Sequence, residues 1–507
     1  MSSRARIPVT GRAADTVLDE LAAMKTPDTD WRRGRVFSLV YHAGDEHERL
    51  LQRAHALYAS ANLLNPMAFQ SLRRMEAEIT QMVAGLFHGP PSAVGSVTSG
   101  GTESILCAVA TYREHARAQR PVFGRLGHRP QIVAPQTIHP AFDKAAHWFG
   151  VELKKVAVDD DQRVRPEAMA RAIGRRTIAL AVSAPQYPHG SIDPVAEVGA
   201  IAARHGLPLH VDACVGGFML PWLERLGRPI APWDFRVPGV TSISADLHKY
   251  GYAGKGASTL TWRDMTWMRH QFFVATDYPG GIYVSPTMIG TRPGGPLAAA
   301  WAALHTQGED GYLKLTRAAI DAADRIRAGI TAVPGLALIG RSDTTIVAWG
   351  AAAGGPDLYA IADRLEARGW SVDRTQHPAG VHLTVTANHL AIADDYVRDV
   401  AAATAEVRAD PSLAKEPVAA MYGMMAKIPV RGLVKRSVRQ LFERMYAPGV
   451  IVPDATAPAD DAVGRLLDKH GAKVDAVLDG VDRLRARLRR VRTRGGRPPG
   501  RIPDGNR

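Results

Sequence analysis

The chain has 507 residues, of which 46% are apolar and 22% charged, proportions that exclude a disordered or fibrous protein and give room for two or three structural units. Its formal charge of +13 is uneven: from Val481 to Arg507 ten arginines face only Asp482 and Asp504, so the body carries a small excess and is not expected to bind nucleic acid. The two cysteines, Cys107 and Cys214, lie in apolar runs and read as reduced small hydrophobes, with neither a disulfide nor a metal site expected.

Met1–Trp31 has no apolar signal segment, and nowhere do about 18 apolar residues run together, so a soluble, cytoplasmic protein is expected. Leu72, Met75, Ile79, Met82, Val83 and Leu86 recur at helical spacing and predict a helix from Pro66 to about Phe87. A second helix should open at Gly100-Gly101 and run through Glu103 to about Ala118. Then β-branched runs at Gln131–Ala134, Glu152–Val158, Thr177–Ser183, Pro208–Asp212 and Val240–Ser244 alternate with helical stretches, the rhythm of βαβ units and a mainly parallel sheet. Between two of these strands, Asp193 and Pro194 should begin a helix that Gly206 ends.

After about Gly311 the pattern changes to a helix at Tyr312–Ile330, a strand at Thr345–Trp349, a helix at Asp357–Arg368 and a strand at Val381–Thr386. The expected division is an N-terminal segment (1–65), a large α/β domain (66–310), a smaller C-terminal α/β domain (311–450), and a tail (451–507). In that tail a linker at Asp454–Asp461 leads to a helix striped by Val474, Val477, Leu478, Val481, Leu484 and Leu488, ending in a disordered dozen residues.

Four segments carry chemistry. In Ser242-Ile243-Ser244-Ala245-Asp246-Leu247-His248-Lys249-Tyr250-Gly251 a buried strand empties into a turn bearing a lysine, an amine that burial could make reactive. Leu209-His210-Val211-Asp212-Ala213 ends another strand with a carboxylate that calls for a cation. Val97-Thr98-Ser99-Gly100-Gly101-Thr102-Glu103-Ser104 sets glycines and hydroxyls at a helix start, where free N–H groups favour a phosphate. Gln136-Thr137-Ile138-His139 puts an imidazole just past a strand. Each alone has a bland alternative: an exposed lysine, a turn-capping aspartate, a common glycine turn, a locally satisfied histidine. Together they fall at the carboxyl ends of sheet strands, where ligands of open α/β sheets collect. An anion cradle, a ring platform, an acid for a ring nitrogen and an amine are what pyridoxal 5′-phosphate requires.

At these residues the sequence resembles the sphingosine-1-phosphate lyases, within the type I pyridoxal-phosphate enzymes that include amino-acid decarboxylases. The likeness runs from about Tyr41 to Tyr446, through Ala184-Pro185-Gln186-Tyr187-Pro188-His189-Gly190, Thr241–Gly256, Phe273–Gly295 and Met421-Tyr422-Gly423-Met424. It implies the type I fold, with a seven-stranded sheet, and a C2–C3 cleavage of a phosphorylated long-chain base to a fatty aldehyde and phosphoethanolamine; another aldolase or a decarboxylase is the alternative. Lys249 would carry the cofactor as a Schiff base, Asp212 pair with its ring nitrogen, and His139 stack on the ring. Gly101, Thr102 and His248 would bind its phosphate, with Gly290 and Thr291 reaching it from a neighbouring subunit, which implies a homodimer with shared active sites.

Tyr41, Asn62 and Lys255 correspond to the family's substrate-phosphate contacts, Lys255 or His139 being candidates to handle protons. Where the lyases read Asn-Pro-Leu-His-Pro this chain reads Asn62-Leu63-Leu64-Asn65-Pro66, replacing a potential cation with a neutral amide at Asn65. Arg292 is a candidate for a substrate carboxylate or for a structural role. The membrane anchor of the eukaryotic relatives has no counterpart, and the basic tail offers a contact for an anionic membrane surface.

Overall fold

The β-branched runs become strands because they sit between two helical layers, where only an apolar, fully hydrogen-bonded backbone can be buried. The computed structural model describes residues 6–124, 128–415 and 431–448. In the larger of its two units, Thr29–Ser412, seven strands form one sheet. They are β1 (Val94–Thr98), β2 (Gln131–Pro135), β3 (Glu152–Val156), β4 (Thr177–Ser183), β5 (Leu209–Asp212), β6 (Val240–Ala245) and β7 (Ser258–Trp262). Their order is β1-β7-β6-β5-β4-β2-β3, and all run parallel except β7, which is antiparallel to both β1 and β6. Strands β2, β4, β5, β6 and β7 are buried along their whole lengths.

The mainly parallel seven-stranded sheet expected from the sequence is therefore present, with two strands, β1 and β7, that the apolar runs did not reveal. The turns after β1, β2, β5 and β6 all open at the same edge, which gathers the four chemistry-bearing segments. The Gly100-Gly101 helix forms as expected, over Gly101–Gln119, and its apolar side packs into a core with Phe142, Ile178 and Trp262.

Two expectations are corrected. The helix expected from Pro66 begins at Gln70 and ends at Leu86, because the Asn65 side chain accepts the N–H groups of Met67 and Ala68 and closes a turn there. Asp193 does not cap the helix Val195–Arg204; its carboxylate accepts the N–H groups of Val164 and Ser183, tying the segment at Val164 to the end of β4.

The hairpin β8 (Phe273–Ala275) and β9 (Tyr283–Ser285) precedes one 39-residue helix, Gly294–Ala332, broken only at Gly308, where φ is +55°. That helix spans the boundary expected near Gly311. Beyond it β10 (Leu336–Leu338), β11 (Ile346–Ala351), β12 (Asp373–Gln376) and β13 (Ala379–Thr384) make an antiparallel sheet in the order β10-β11-β13-β12, with the helices Leu358–Ala367 and Ala393–Ala409. The segment before Tyr41 joins this sheet: Phe37 donates its N–H to Ser371, accepts from Thr384, and stacks on His389. In the smaller unit, Ala14–Met24 and Arg431–Met445 are helices. The linker, the basic helical tail and Met421–Met424 lie outside the described residues. No helix among the described residues is long and apolar enough to cross a membrane.

Burial holds four histidines neutral, pushing His189, His210, His382 and His389 down to about 4 from 6.5. The unfolded chain takes up protons at these sites as pH falls from about 6.5 toward 4, while the folded chain does not, so stability is lost across that window, by on the order of 2 kcal/mol per histidine. Buried Asp193, pushed up to about 6, offsets part of this. Thermal unfolding measured from pH 7.5 to 4.5 should show a Tm that falls steadily below pH 6.5.

Candidate active site

The turn after β6 places the lysine. Lys249 donates its N–H to the Asp246 carbonyl at 3.3 Å, and Ala253 closes back on the Leu247 carbonyl at 3.0 Å. The side chain folds onto the same aspartate, Nζ lying 2.8 Å from Asp246 Oδ2. Burial, the largest single influence, opposes the ammonium, but the charge and hydrogen bond of Asp246 together with Cys214 and Asp212 hold Lys249 above its ordinary value. Burial likewise opposes the Asp246 carboxylate, and Lys249 and then His248 pull it below the usual range. Asp246 is 2% exposed, and its Oδ1 is buried without a hydrogen-bond partner.

Opposite this pair stands the start of the helix Gly101–Gln119. A Cβ at Gly101 would come within 2.6 Å of Cys214 Sγ and 2.7 Å of Asp246 Oδ1, so only glycine lets the helix start approach the ion pair this closely. Glu103, buried, accepts the N–H of Ser99 at 2.6 Å on one oxygen and that of Met288 at 2.8 Å on the other, fixing the turn and joining it to the loop after β9. Between these parts is a cavity of about 340 Å³ lined by Gly101, Thr102, His139, Cys214, His248 and Lys249, among others. His139 is half-buried, with Nδ1 accepting the Ala141 N–H at 3.1 Å. Asp212 ends β5 close enough to bear on the charge of Lys249; its Oδ1 accepts the Cys214 N–H at 3.1 Å, and nothing among the described residues donates to Oδ2.

A second cation adjoins. Lys255 Nζ donates to the Leu39 carbonyl at 2.6 Å and lies 5.2 Å from the centre of the Tyr41 ring. Burial, then the nearby Lys249 charge, lowers it to about 8. Tyr41 in turn packs edge-on against Tyr250, whose hydroxyl donates to the Val385 carbonyl at 2.7 Å.

Five of the expected residues lie elsewhere in the protomer. Asn62 Oδ1 accepts the N–H groups of Leu64 and Arg292, and Asn65 Oδ1 is used in its own turn, so both amide oxygens hold backbone. Gly290 and the exposed Thr291 follow the loop anchored on Glu103 and do not line the Lys249 cavity. Arg292 is 8% exposed, ion-paired with Glu76 and donating to the Val97 carbonyl.

The conserved domain of the pyridoxal-dependent decarboxylases matches residues 19–349. Sphingosine-1-phosphate lyase of Arabidopsis thaliana is 39% identical over 448 residues, 87% of this chain and 81% of the relative. Sphingosine-1-phosphate lyase 1 of Mus musculus is 39% identical over 443 residues, 87% of this chain and 77% of that one. The chain belongs to the sphingosine-1-phosphate lyase family. A solved sphingosine-1-phosphate lyase from Burkholderia pseudomallei superposes with a TM-score of 0.78 at 37% identity, covering 87% of this chain and 97% of its own. Glutamate decarboxylase of Lactobacillus brevis, 22% identical with a TM-score of 0.69 and covering 80% of this chain and 96% of its own, shares the fold.

Pyridoxal phosphate is the cofactor of this lyase family, and the cavity fits it: a buried amine and a helix start stripped of side chain at Gly101 line it, and Asp212, behind the lining, is near enough to act on the Lys249 charge. Sequence reasoning did not assign roles to Asp246, Glu103 or Tyr187. Tyr187 donates to Asp373 at 3.0 Å, lies 4.2 Å from the His382 ring, and feels the charge of Lys249. Asp246 stood three residues before the lysine, a spacing that only the turn makes meaningful. Gly101→Ala should weaken pyridoxal phosphate binding by at least tenfold, since the new methyl must displace Cys214 or the Asp246 carboxylate; a fluorescence titration against the unfolding temperature separates this from global destabilisation.

Proposed function

We propose that this chain is a pyridoxal-phosphate-dependent aldehyde-lyase that cleaves the C2–C3 bond of a phosphorylated long-chain base to a fatty aldehyde and phosphoethanolamine. The observation that carries this reading is the pairing of the Lys249 cavity with a second cation, Lys255, beside Tyr41. When bound, the cofactor supplies an electron sink for the pair released from the breaking bond. Lys249 is the amine that anchors it, Gly101, Thr102 and His248 hold its phosphate, His139 supports the ring face, and Asp212 meets the ring nitrogen. Lys255, mostly protonated at neutral pH, meets the substrate phosphate with the Tyr41 hydroxyl. The reaction needs a base for the C3 hydroxyl proton and an acid that returns a proton to C2; His139 and the minority neutral form of Lys255 are the groups near enough to exchange them.

The alternative, decarboxylation of an amino acid, needs a cation for a substrate carboxylate. Arg292, the candidate for that role, has its guanidinium committed to Glu76 and the Val97 carbonyl, which favours the lyase. The working form is a homodimer in which Gly290 and Thr291 of each protomer approach the cofactor phosphate of the other; their position off the protomer's own cavity supports this. Asn62 and Asn65 complete the substrate site from the same side. The protein acts in the cytoplasm, with the basic tail meeting anionic membrane surfaces.

Purified protein given pyridoxal phosphate and sphingosine-1-phosphate should show the visible absorption band of a lysine-bound cofactor and release a long-chain aldehyde. Lys249→Ala should lose both, with turnover down by at least a thousandfold; a band without aldehyde would transfer the chain to the decarboxylases. As an ammonium that binds phosphate, Lys255 should let KM rise as pH passes through about 8, and Lys255→Met should raise KM by roughly tenfold at pH 7 and abolish that limb. The same limb in kcat, with KM flat, would make Lys255 a proton carrier instead.

A further inference from the structure

Behind the cavity, buried polar side chains on β5 and β6 meet in a line that the proposed mechanism has not used. The Tyr112 hydroxyl is 2.7 Å from Thr241 Oγ1 and 2.6 Å from Ser242 Oγ. Ser242 Oγ is 2.7 Å from His210 Nδ1, and His210 Nε2 is 3.2 Å from Ser244 Oγ. Ser244 Oγ lies 3.4 Å from Asp212 Oδ1 and takes the Cys214 thiol at 3.4 Å. Every member of the line is buried; His210 is 1% exposed and Ser244 is fully covered.

The chemistry of the last member fixes the direction of all the others. A carboxylate only accepts, so the single proton of Ser244 goes to Asp212, and the serine must accept from both Cys214 and His210. His210 therefore carries its proton on Nε2, which leaves Nδ1 an acceptor for the Ser242 hydroxyl. Ser242, having given its proton to the imidazole, accepts from Tyr112, whose oxygen also lies near Thr241 Oγ1, itself a donor to the Leu209 carbonyl at 3.1 Å. Burial pushes His210 down to about 4, in keeping with the neutral, single-proton imidazole that this order demands. A ring protonated on both nitrogens would face the Ser242 hydroxyl with a donor and reverse the line.

We propose that His210 and Ser244 are positioning residues for the cofactor's ring nitrogen: a one-way line of hydrogen bonds from Tyr112 through Ser242, His210 and Ser244 ends on Asp212 Oδ1 and keeps this aspartate an acceptor, with Oδ2 free for the ring. The inference rests on the reading that Asp212 meets that nitrogen. Without Ser244 the carboxylate loses a donor, becomes the better base, and tends to take the ring proton outright. The electron sink then weakens although no residue touching the cofactor has changed.

The test uses pyridoxal phosphate and its 1-deaza analogue, in which carbon replaces the ring nitrogen, each titrated into the cofactor-free full-length protein with dissociation constants read by fluorescence. Wild type should bind the natural cofactor more tightly than the analogue. Ser244→Ala and His210→Phe, in which Asp212 is no longer held with Oδ2 toward the ring nitrogen, should bind the natural cofactor roughly tenfold more weakly while binding the analogue no more weakly than wild type does. Ser244→Ala removes a single oxygen and guards against a folding defect in His210→Phe. Equal weakening for both cofactors, or no weakening for either, would overturn the positioning role and leave the line a structural feature of the core. A wild type that does not distinguish the two cofactors would instead refute the assignment of Asp212 to the ring nitrogen, and the line with it.

Discussion

Asp246 and Lys249 lie 2.8 Å apart at the end of β6, where burial would make either charge alone cost several kcal/mol. Their pairing makes an ammonium tolerable at the floor of a cavity, and the surroundings are built to leave the pair incomplete. Asp246 Oδ1 has no donor, and a side chain at Gly101, which starts a 19-residue helix, would run into it and into Cys214. The positive end of that helix supplies part of the missing compensation. An arrangement with a charged amine held by one oxygen, and a helix start held open by a glycine, is better suited to receive a ligand than to stabilise the fold.

The second sheet matters because it delivers the other half of the site. Phe37 is pinned between Ser371 and Thr384 and stacked on His389, so the chain leaving it must pass the Lys249 turn. That passage puts the Leu39 carbonyl against Lys255 and the Tyr41 ring beside it. Two ammonium groups so close repel, and the repulsion adds to burial in lowering Lys255, whereas Lys249 stays an ammonium because Asp246, with Cys214 and Asp212, stabilises its charge. The surroundings of one turn region thus set its two lysines to different chemistry.

The sheet was legible because fully buried parallel strands read as continuous apolar runs, as β2, β4, β5 and β6 did, and β3, Glu-Leu-Lys-Lys-Val, was read from its place in the rhythm although it is mostly unburied. β1 and β7 did not: Val-Gly-Ser-Val-Thr and Ser-Thr-Leu-Thr-Trp are half polar, and their hydroxyls, that of Thr261 apart, are satisfied across strands and into the neighbouring helix, which only the tertiary arrangement provides. At the site, Lys249, His139, Gly101, Thr102 and His248 came from motifs with a local mechanism, a strand end or a helix start, and the fold gathers them around one cavity. Asp246 and Glu103 were invisible for the opposite reason. A carboxylate read in sequence carries no sign of whether it faces water or closes a buried pair, and both of these act across gaps in sequence, Glu103 by holding a loop 185 residues away. The Asn65 turn shows the same limit, since a side chain that could meet a phosphate instead completes the backbone of its own loop.

That change at Asn65 bears on how anionic substrate is recognised. An imidazole there could share the phosphate charge; an amide whose oxygen is engaged by Met67 and Ala68 offers only its NH2 group. More of the attraction then falls on Lys255, which near pH 7 is protonated in all but roughly a tenth of molecules because burial has lowered it only to about 8. The same lysine cannot hold a phosphate as an ammonium and accept a proton as an amine in one encounter. Since the binding form dominates, Lys255 suits recognition better than proton transfer, and His139, half-buried in the cavity lining with its Nδ1 engaged by the Ala141 N–H, has only Nε2 unengaged.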